Sequence, residues 1–142
     1  MTKMIVAVFI LFTCSRTFAI CNISNGDGMI RIQPTSGATS SIQFNIDCSN
    51  AFSIIFNSQN LQNNDGQSLL KHDSTTTYSK LKNTIDVKYD LSGDAGREWN
   101  KIIPQQQKVS HTYLIIARLG TVNAESLAAG DYRDRITLHI DY

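Results

Sequence analysis

Polar and apolar positions alternate along this chain in short runs, and no apolar stripe of helical spacing is long enough to build a core. In residues 41–48, Ile42, Phe44, Ile46 and Cys48 fall on one side and Ser41, Gln43, Asn45 and Asp47 on the other. That is the period-two pattern of a strand with one buried face. Residues 52–56 follow after Ser49-Asn50 with consecutive apolar side chains, as in a strand covered on both faces, and the two segments are expected to pair or to pack closely. Residues 57–67 are rich in Asn, Gln, Ser, Asp and Gly, which bond their own backbone and favour a loop.

The middle of the chain is less regular. Residues 68–70 suit a short strand, residues 74–77 are polar and β-branched, and Ile85, Val87 and Tyr89 alternate with Thr84, Asp86 and Lys88 as a strand. Residues 91–101 carry Ser92-Gly93-Asp94-Ala95-Gly96 and predict a turn-rich connection, with Trp99 expected in the core because large aromatics dominate burial. Residues 111–119, with Tyr113, Leu114, Ile115, Ile116 and Ala117, predict a buried strand. Residues 123–129 allow one helical turn ended by Gly130. The closing run is the most regular: Tyr132, Asp134, Ile136, Leu138, Ile140 and Tyr142 oppose Arg133, Arg135, Thr137, His139 and Asp141, as one strand. Short alternating runs separated by turns predict an all-β, immunoglobulin-like β-sandwich.

Before this pattern begins, Lys3 precedes an apolar run from Met4 to Phe12 and a Thr17-Phe18-Ala19 site with a small last residue. The order is that of a signal peptide over residues 1–19, leaving a domain at 20–142. Its apolar stretch of about ten residues is shorter than the roughly 20 that span a bilayer, and no later stretch approaches that length, so no membrane insertion is expected. A lipoprotein site at Cys14 is the rival, but Leu11-Phe12-Thr13 puts a large aromatic where a small residue is usual. The remaining roughly 123 residues suffice for one core. Of the three cysteines, Cys21 and Cys48 stay as an even pair in an oxidising compartment. A bond between them should stabilise the fold by about 3 kcal/mol. A net charge of +1 with both signs interspersed offers no basic stripe for nucleic acid and no patch for a membrane surface.

A strand that closes a chain at a sheet edge exposes unpaired N–H and C=O groups, which isolated proteins normally cover. Two arrangements satisfy the alternation. The closing strand lies centrally with neighbours on both sides, or it lies at an edge and another polypeptide adds a strand to it.

The ending Ala129-Gly130-Asp131-Tyr132-Arg133-Asp134-Arg135-Ile136-Thr137-Leu138-His139-Ile140-Asp141-Tyr142 resembles the terminal strand of the spore coat protein U/Csu-type fimbrial family. There a Gly-x-Tyr-x-Asp element, here Gly130, Tyr132 and Asp134, leads into the alternating strand. Cys21 and Cys48 are similarly placed to the first-to-second-strand disulfide of chaperone–usher pilins. The resemblance implies an incomplete sandwich lacking its last strand. A periplasmic pilus chaperone lends that strand, and a neighbouring pilus subunit replaces it at the outer-membrane usher. Ile136, Leu138, Ile140 and Tyr142 would line one side of the acceptor groove, with the Tyr142 carboxylate a handle for the chaperone. The expected place of action is a cell-surface pilus reached through the periplasm, serving adhesion or biofilm. One departure stands out: family subunits carry a donor segment before the first cysteine, whereas cleavage after Ala19 leaves only Ile20 there, the expectation for a tip or capping subunit.

Enzymatic chemistry finds little support, and no cofactor is expected. His72, His111 and His139 have no metal-ligand spacing around them, no Gly-x-Ser-x-Gly elbow occurs, and both remaining cysteines are committed to structure. His72-Asp73 fits a solvated loop and His139 a polar strand face. Gly26-Asp27-Gly28 and Gly93-Asp94-Ala95-Gly96 lack the strand-to-helix context of a phosphate cradle. Asp27, Asp94, Asp131 and Asp134 match no calcium-loop spacing. The alternative to a pilus subunit is a free secreted coat-like or carbohydrate-binding sandwich, which would display an exposed aromatic patch at Trp99 or Tyr89; a small hydrolase is a third reading.

Overall fold

The computed structural model describes residues 20–25, 28–74, 80–107 and 110–142. The expected signal peptide, the lipoprotein alternative at Cys14, Gly26, Asp27 and residues 75–77 of the polar β-branched run lie outside the described residues. Among the described residues nine strands form in chain order: β1 Cys21–Ser24, β2 Thr39–Cys48, β3 Phe52–Ser58, β4 Gln67–His72, β5 Thr84–Gly93, β6 Ile103–Gln105, β7 His111–Leu119, β8 Tyr132–Arg133 and β9 Ile136–Asp141. They make two antiparallel sheets, one of six strands ordered β1-β2-β7-β5-β4-β8 and one of three ordered β6-β3-β9. The protein is thus an all-β sandwich of the immunoglobulin-like kind, held by one disulfide between Cys21 and Cys48. That bond ties β1 to β2, where the two cysteines are also cross-strand partners.

Alternation along each strand sends one set of side chains inward. Phe44 and Ile46 of β2, Tyr113, Ile115 and Ala117 of β7, and Ile85, Val87 and Tyr89 of β5 form one wall, against Phe52, Ile54 and Phe56 of β3. Phe44 and Tyr113 stack at 5.5 Å, and both meet Phe56 across the sandwich, at 6.4 and 5.7 Å. Residues 41–48 and 52–56 are therefore packed face to face from different sheets and are not paired. The outer face of β3 is half-buried, so cover on both faces, expected from its apolar run, is only partial. Trp99 is fully buried, with its ring on Phe56 and Tyr89 and its Nε1–H donated to Tyr89 O at 3.1 Å.

Three expectations change. β5 extends to Gly93, so Leu91 is a buried strand residue and the turn begins later than the glycines alone suggest. The helical turn is a 3-10 helix at Ala124–Ser126 capped by the Asn123 side chain, and Leu127, not Gly130, ends it. The closing run is not one strand: β8 belongs to the six-stranded sheet and β9 to the other, and the chain crosses between them at Asp134-Arg135.

Candidate functional site

Gly130, Tyr132 and Asp134 build that crossing. Gly130 adopts φ +143, and a Cβ there would lie 2.4 Å from His72 Nε2, so only glycine lets the chain pass under that imidazole. The Tyr132 ring stands edge-on to His72 at 5.1 Å. Its hydroxyl faces two backbone carbonyls, Ala128 O at 2.8 Å and Lys82 O at 3.0 Å, to which it donates. A tyrosine hydroxyl returning to the backbone a few residues upstream is the tyrosine corner of immunoglobulin-like sandwiches. His72 is correspondingly the half-buried last residue of β4, its Nε2 3.0 Å from Ala129 O, in place of the solvated loop the sequence suggested.

Asp134 is the hub of the corner. Its Oδ2 accepts hydrogen bonds from Ser58 Oγ at 2.5 Å, Ser68 Oγ at 2.8 Å and Tyr89 OH at 3.1 Å. Its Oδ1 accepts from Asn60 Nδ2 at 3.1 Å, Asn60 N at 3.3 Å and Arg135 N at 2.8 Å. Ser58, Asn60, Ser68 and Tyr89 are all buried. The carboxylate has no cationic partner among the described residues, so neutral dipoles alone hold it. Burial raises the Tyr89 pKa far above its ordinary value, with the Asp134 charge and hydrogen bond adding to the effect. Since Ser58 belongs to one sheet and Ser68 and Tyr89 to the other, one side chain clamps both layers. This cluster was not anticipated. Beyond the Gly-x-Tyr-x-Asp resemblance that singled out Asp134, its signal in the sequence is polar residues at inward positions of alternating strands, Ser58 after Phe56 and Asp134 before Ile136.

The strand leaving the corner lies at an edge. β9 pairs with β3 from Ser58↔Ile136 to Ser53↔Asp141 and has no second neighbour among the described residues. Gln59 N donates to Arg135 O at 2.9 Å, extending the ladder by one residue. Because antiparallel ladders alternate, Arg135, Thr137, His139 and Asp141 turn their backbone groups to β3, and Ile136, Leu138 and Ile140 turn theirs outward. Those three side chains are half-buried on the core side, whereas Thr137, His139 and Asp141 are exposed. Tyr142, expected beside them in the groove, lies past the end of β9 and is 71% exposed.

The other sheet edges are guarded differently. β1 has four residues, β8 two, and β6 three with a central Pro104 that has no N–H. β9, with six residues and no proline, is the longest and least protected. Two further features belong with it. Residues 29–33 alternate in burial, with Ile30 and Ile32 packed on the core, yet residues 29–32 make no backbone hydrogen bond with a described residue. Ile23 shares a face with the fully buried Ile46 but is 61% exposed, so the inner side of β1 lacks cover at Ile23.

The remaining candidates are scattered. His111 is buried, its Nδ1 3.3 Å from Asp94 and its Nε2 2.8 Å from Gln106 O. His139 lies exposed on β9 and Asp131 exposed at the corner beside Arg133. Among the described residues no group of three or more His, Cys, Asp or Glu is placed to hold a metal, and no helix is long and apolar enough to cross a membrane. Trp99 and Tyr89, the residues on which an exposed aromatic patch would depend, are both buried. No known family's sequence profile matches this chain, and no curated protein matches it.

Proposed function

We propose that this chain is a structural subunit whose sandwich is completed by a strand from another polypeptide, as in a chaperone–usher pilus. The observation that carries the reading is the free edge of β9: six residues, unguarded, with apolar side chains on the core side and outward-facing backbone groups at alternate positions. Strand addition supplies what such an edge lacks, backbone hydrogen bonds along its length and side chains plugged in at alternate positions. Residues 29–32, unpaired among the described residues, and the uncovered Ile23 fit a sandwich with one strand too few. On this reading the partners are a periplasmic chaperone first and a neighbouring subunit later, the usher being where they exchange, and the chain acts by binding and not by catalysis. The disulfide suits assembly in an oxidising compartment.

The test is hydrogen exchange on the dilute chain, alone and after co-production with a pilus chaperone. Alone, the amides of Ile136, Leu138 and Ile140 should exchange freely, and the soluble yield should be low. With the chaperone those amides become protected and the soluble yield rises. Protection of all three amides in the dilute monomer, or a yield indifferent to the chaperone, would overturn the proposal.

A further inference from the structure

We infer that the free edge of β9 also pairs with the same edge of a second copy of this chain, antiparallel and about a two-fold axis at Leu138. The inference rests on the geometry of the edge and not on its assignment to a pilus. Around Leu138 the segment Arg135-Ile136-Thr137-Leu138-His139-Ile140-Asp141 is a palindrome in side-chain class with its charges reversed at the two ends. Laid antiparallel on itself, it sets Leu138 against Leu138, Ile136 against Ile140, Thr137 against His139, and Arg135 against Asp141 of the second copy.

Each part of that match has a physical basis. Ile136, Leu138 and Ile140 are the residues whose N–H and C=O groups face outward, so the Leu138 pair and the two Ile136–Ile140 pairs are the hydrogen-bonded ones, giving about six backbone bonds. The same three side chains are half-buried on the core side, and each gains cover from its counterpart. On the exposed face, neither Arg135 nor Asp141 has an ion-pair partner among the described residues. Six residues apart on an extended chain, roughly 20 Å, they cannot reach one another within one copy. A second copy supplies each with its opposite charge.

Sliding the register by two residues keeps the faces matched but loses both ion pairs, and places His139 against His139 or Arg135 against His139. Opposite charges across a strand pair stabilise it, and of these registers the one centred on Leu138 alone sets them opposite each other, so charge selects it. Such an isologous contact closes on itself as a dimer and does not propagate as a fibre. An edge pairing of this length lies at the small end of interface sizes, so the dimer is a weak one, formed at high local concentration and weakened by salt.

Sedimentation velocity on the secreted chain, over roughly a hundredfold range of concentration, tests this. The parent chain should pass from monomer to dimer. Arg135→Glu and Asp141→Lys each place like charges across the axis twice, and each alone should weaken the dimer roughly tenfold or more. An equimolar mixture of the two should dimerise as the parent does, because the carboxylate introduced at position 135 of one copy then meets the ammonium introduced at position 141 of the other, and the native Arg135 meets the native Asp141. Both positions are exposed, which spares the core.

The double variant Thr137→Cys with His139→Cys should form a reducible dimer in unfractionated culture fluid, which keeps the test open if purification fails. A parent chain monomeric throughout, single variants that dimerise unchanged, or a mixture that does not recover would overturn the inference. So would a double-cysteine variant crosslinked only to a different polypeptide, an outcome that leaves strand completion by another protein standing.

Discussion

Replacing Asp134 by alanine removes the acceptor on which four buried side chains converge. Hydrogen bonds to a charged group contribute about 1.5–3 kcal/mol each, and a buried donor left alone adds its own desolvation penalty. Ser58, Ser68, Tyr89 and the Asn60 amide all donate to Asp134, so the gross loss is large. Two terms offset part of it. Ser58 and Ser68 lie 2.8 Å apart and can satisfy each other, and the partly buried carboxylate no longer has to be desolvated. The expected net loss is about 3–4 kcal/mol, a large fraction of a stability of about 5–15 kcal/mol. Urea unfolding followed by the fluorescence of Trp99, the chain's one tryptophan, measures it; with a slope of about 1.5 kcal/mol per molar, the midpoint should fall by roughly 2 M. Asp134→Asn keeps the shape and one carbonyl acceptor, and the hydroxyls can reverse to accept from the new amide, so about half the loss is expected. Ser68→Ala alone should cost about 1 kcal/mol and couple to Asp134→Ala in a double-mutant cycle. An Asp134→Ala protein within about 1 kcal/mol of the parent would refute the clamp.

Two further outcomes are expected. Gly66→Ala should cost at least about 3 kcal/mol and red-shift the Trp99 emission, since the new Cβ would lie 2.1 Å from Tyr89 O and 2.7 Å from Trp99 Nε1 at φ +87; a melting temperature within a degree or two of the parent's, about the resolution of such a scan, would contradict it. Alkali should unfold the protein early. Burial raises the pKa of both Tyr89 and Tyr113, with the nearby Asp134 and Asp94 charges adding to it, while an unfolded tyrosine ionises near about 10. The stability tied to their protons is complete below that pH and is lost as pH rises toward the folded values, at about 1.4 kcal/mol per pH unit per group. Tyr89→Phe should halve that slope in urea midpoints taken above about pH 10, and a slope left unchanged would count against a protonated, buried Tyr89.

The period-two runs carried most of the fold because each strand has one face on a single core, and that face writes itself as Phe44-x-Ile46 or Ile85-x-Val87-x-Tyr89. The crossing at Asp134 was not legible. Tyr132, Asp134 and Ile136 continue one alternation, and nothing in their spacing says that the first belongs to one sheet and the last to the other. What separates them is a set of hydrogen bonds to Ser58, Ser68 and Tyr89, which lie 76, 66 and 45 residues away. Alternation equally cannot tell an edge strand from a central one, because both bury one face, and so the free side of β9 had to come from the topology. Tyr142 followed the parity of Ile140 in the sequence, yet the ladder to β3 ends at Asp141 and parity without a partner strand does not bury a side chain.

The corner and the edge are two ends of one device. Ser58 donates to Asp134 and is also the register partner of Ile136, the first residue of β9. Fixing Asp134 against Ser58 therefore fixes which residue of β9 meets which residue of β3. A slip of one residue would turn Thr137, His139 and Asp141 toward the core and put Ile136, Leu138 and Ile140 in water. It would also change which backbone groups point away from β3, since those follow the same alternation. The Gly130, Tyr132 and Asp134 element, which touches none of the outward-facing groups of β9, thus determines what that edge presents. Under the proposed strand capture, loosening the corner should cost register before it unfolds the sandwich, so Asp134→Asn should lower the protection of Leu138 by an added strand while the fluorescence of Trp99 stays native.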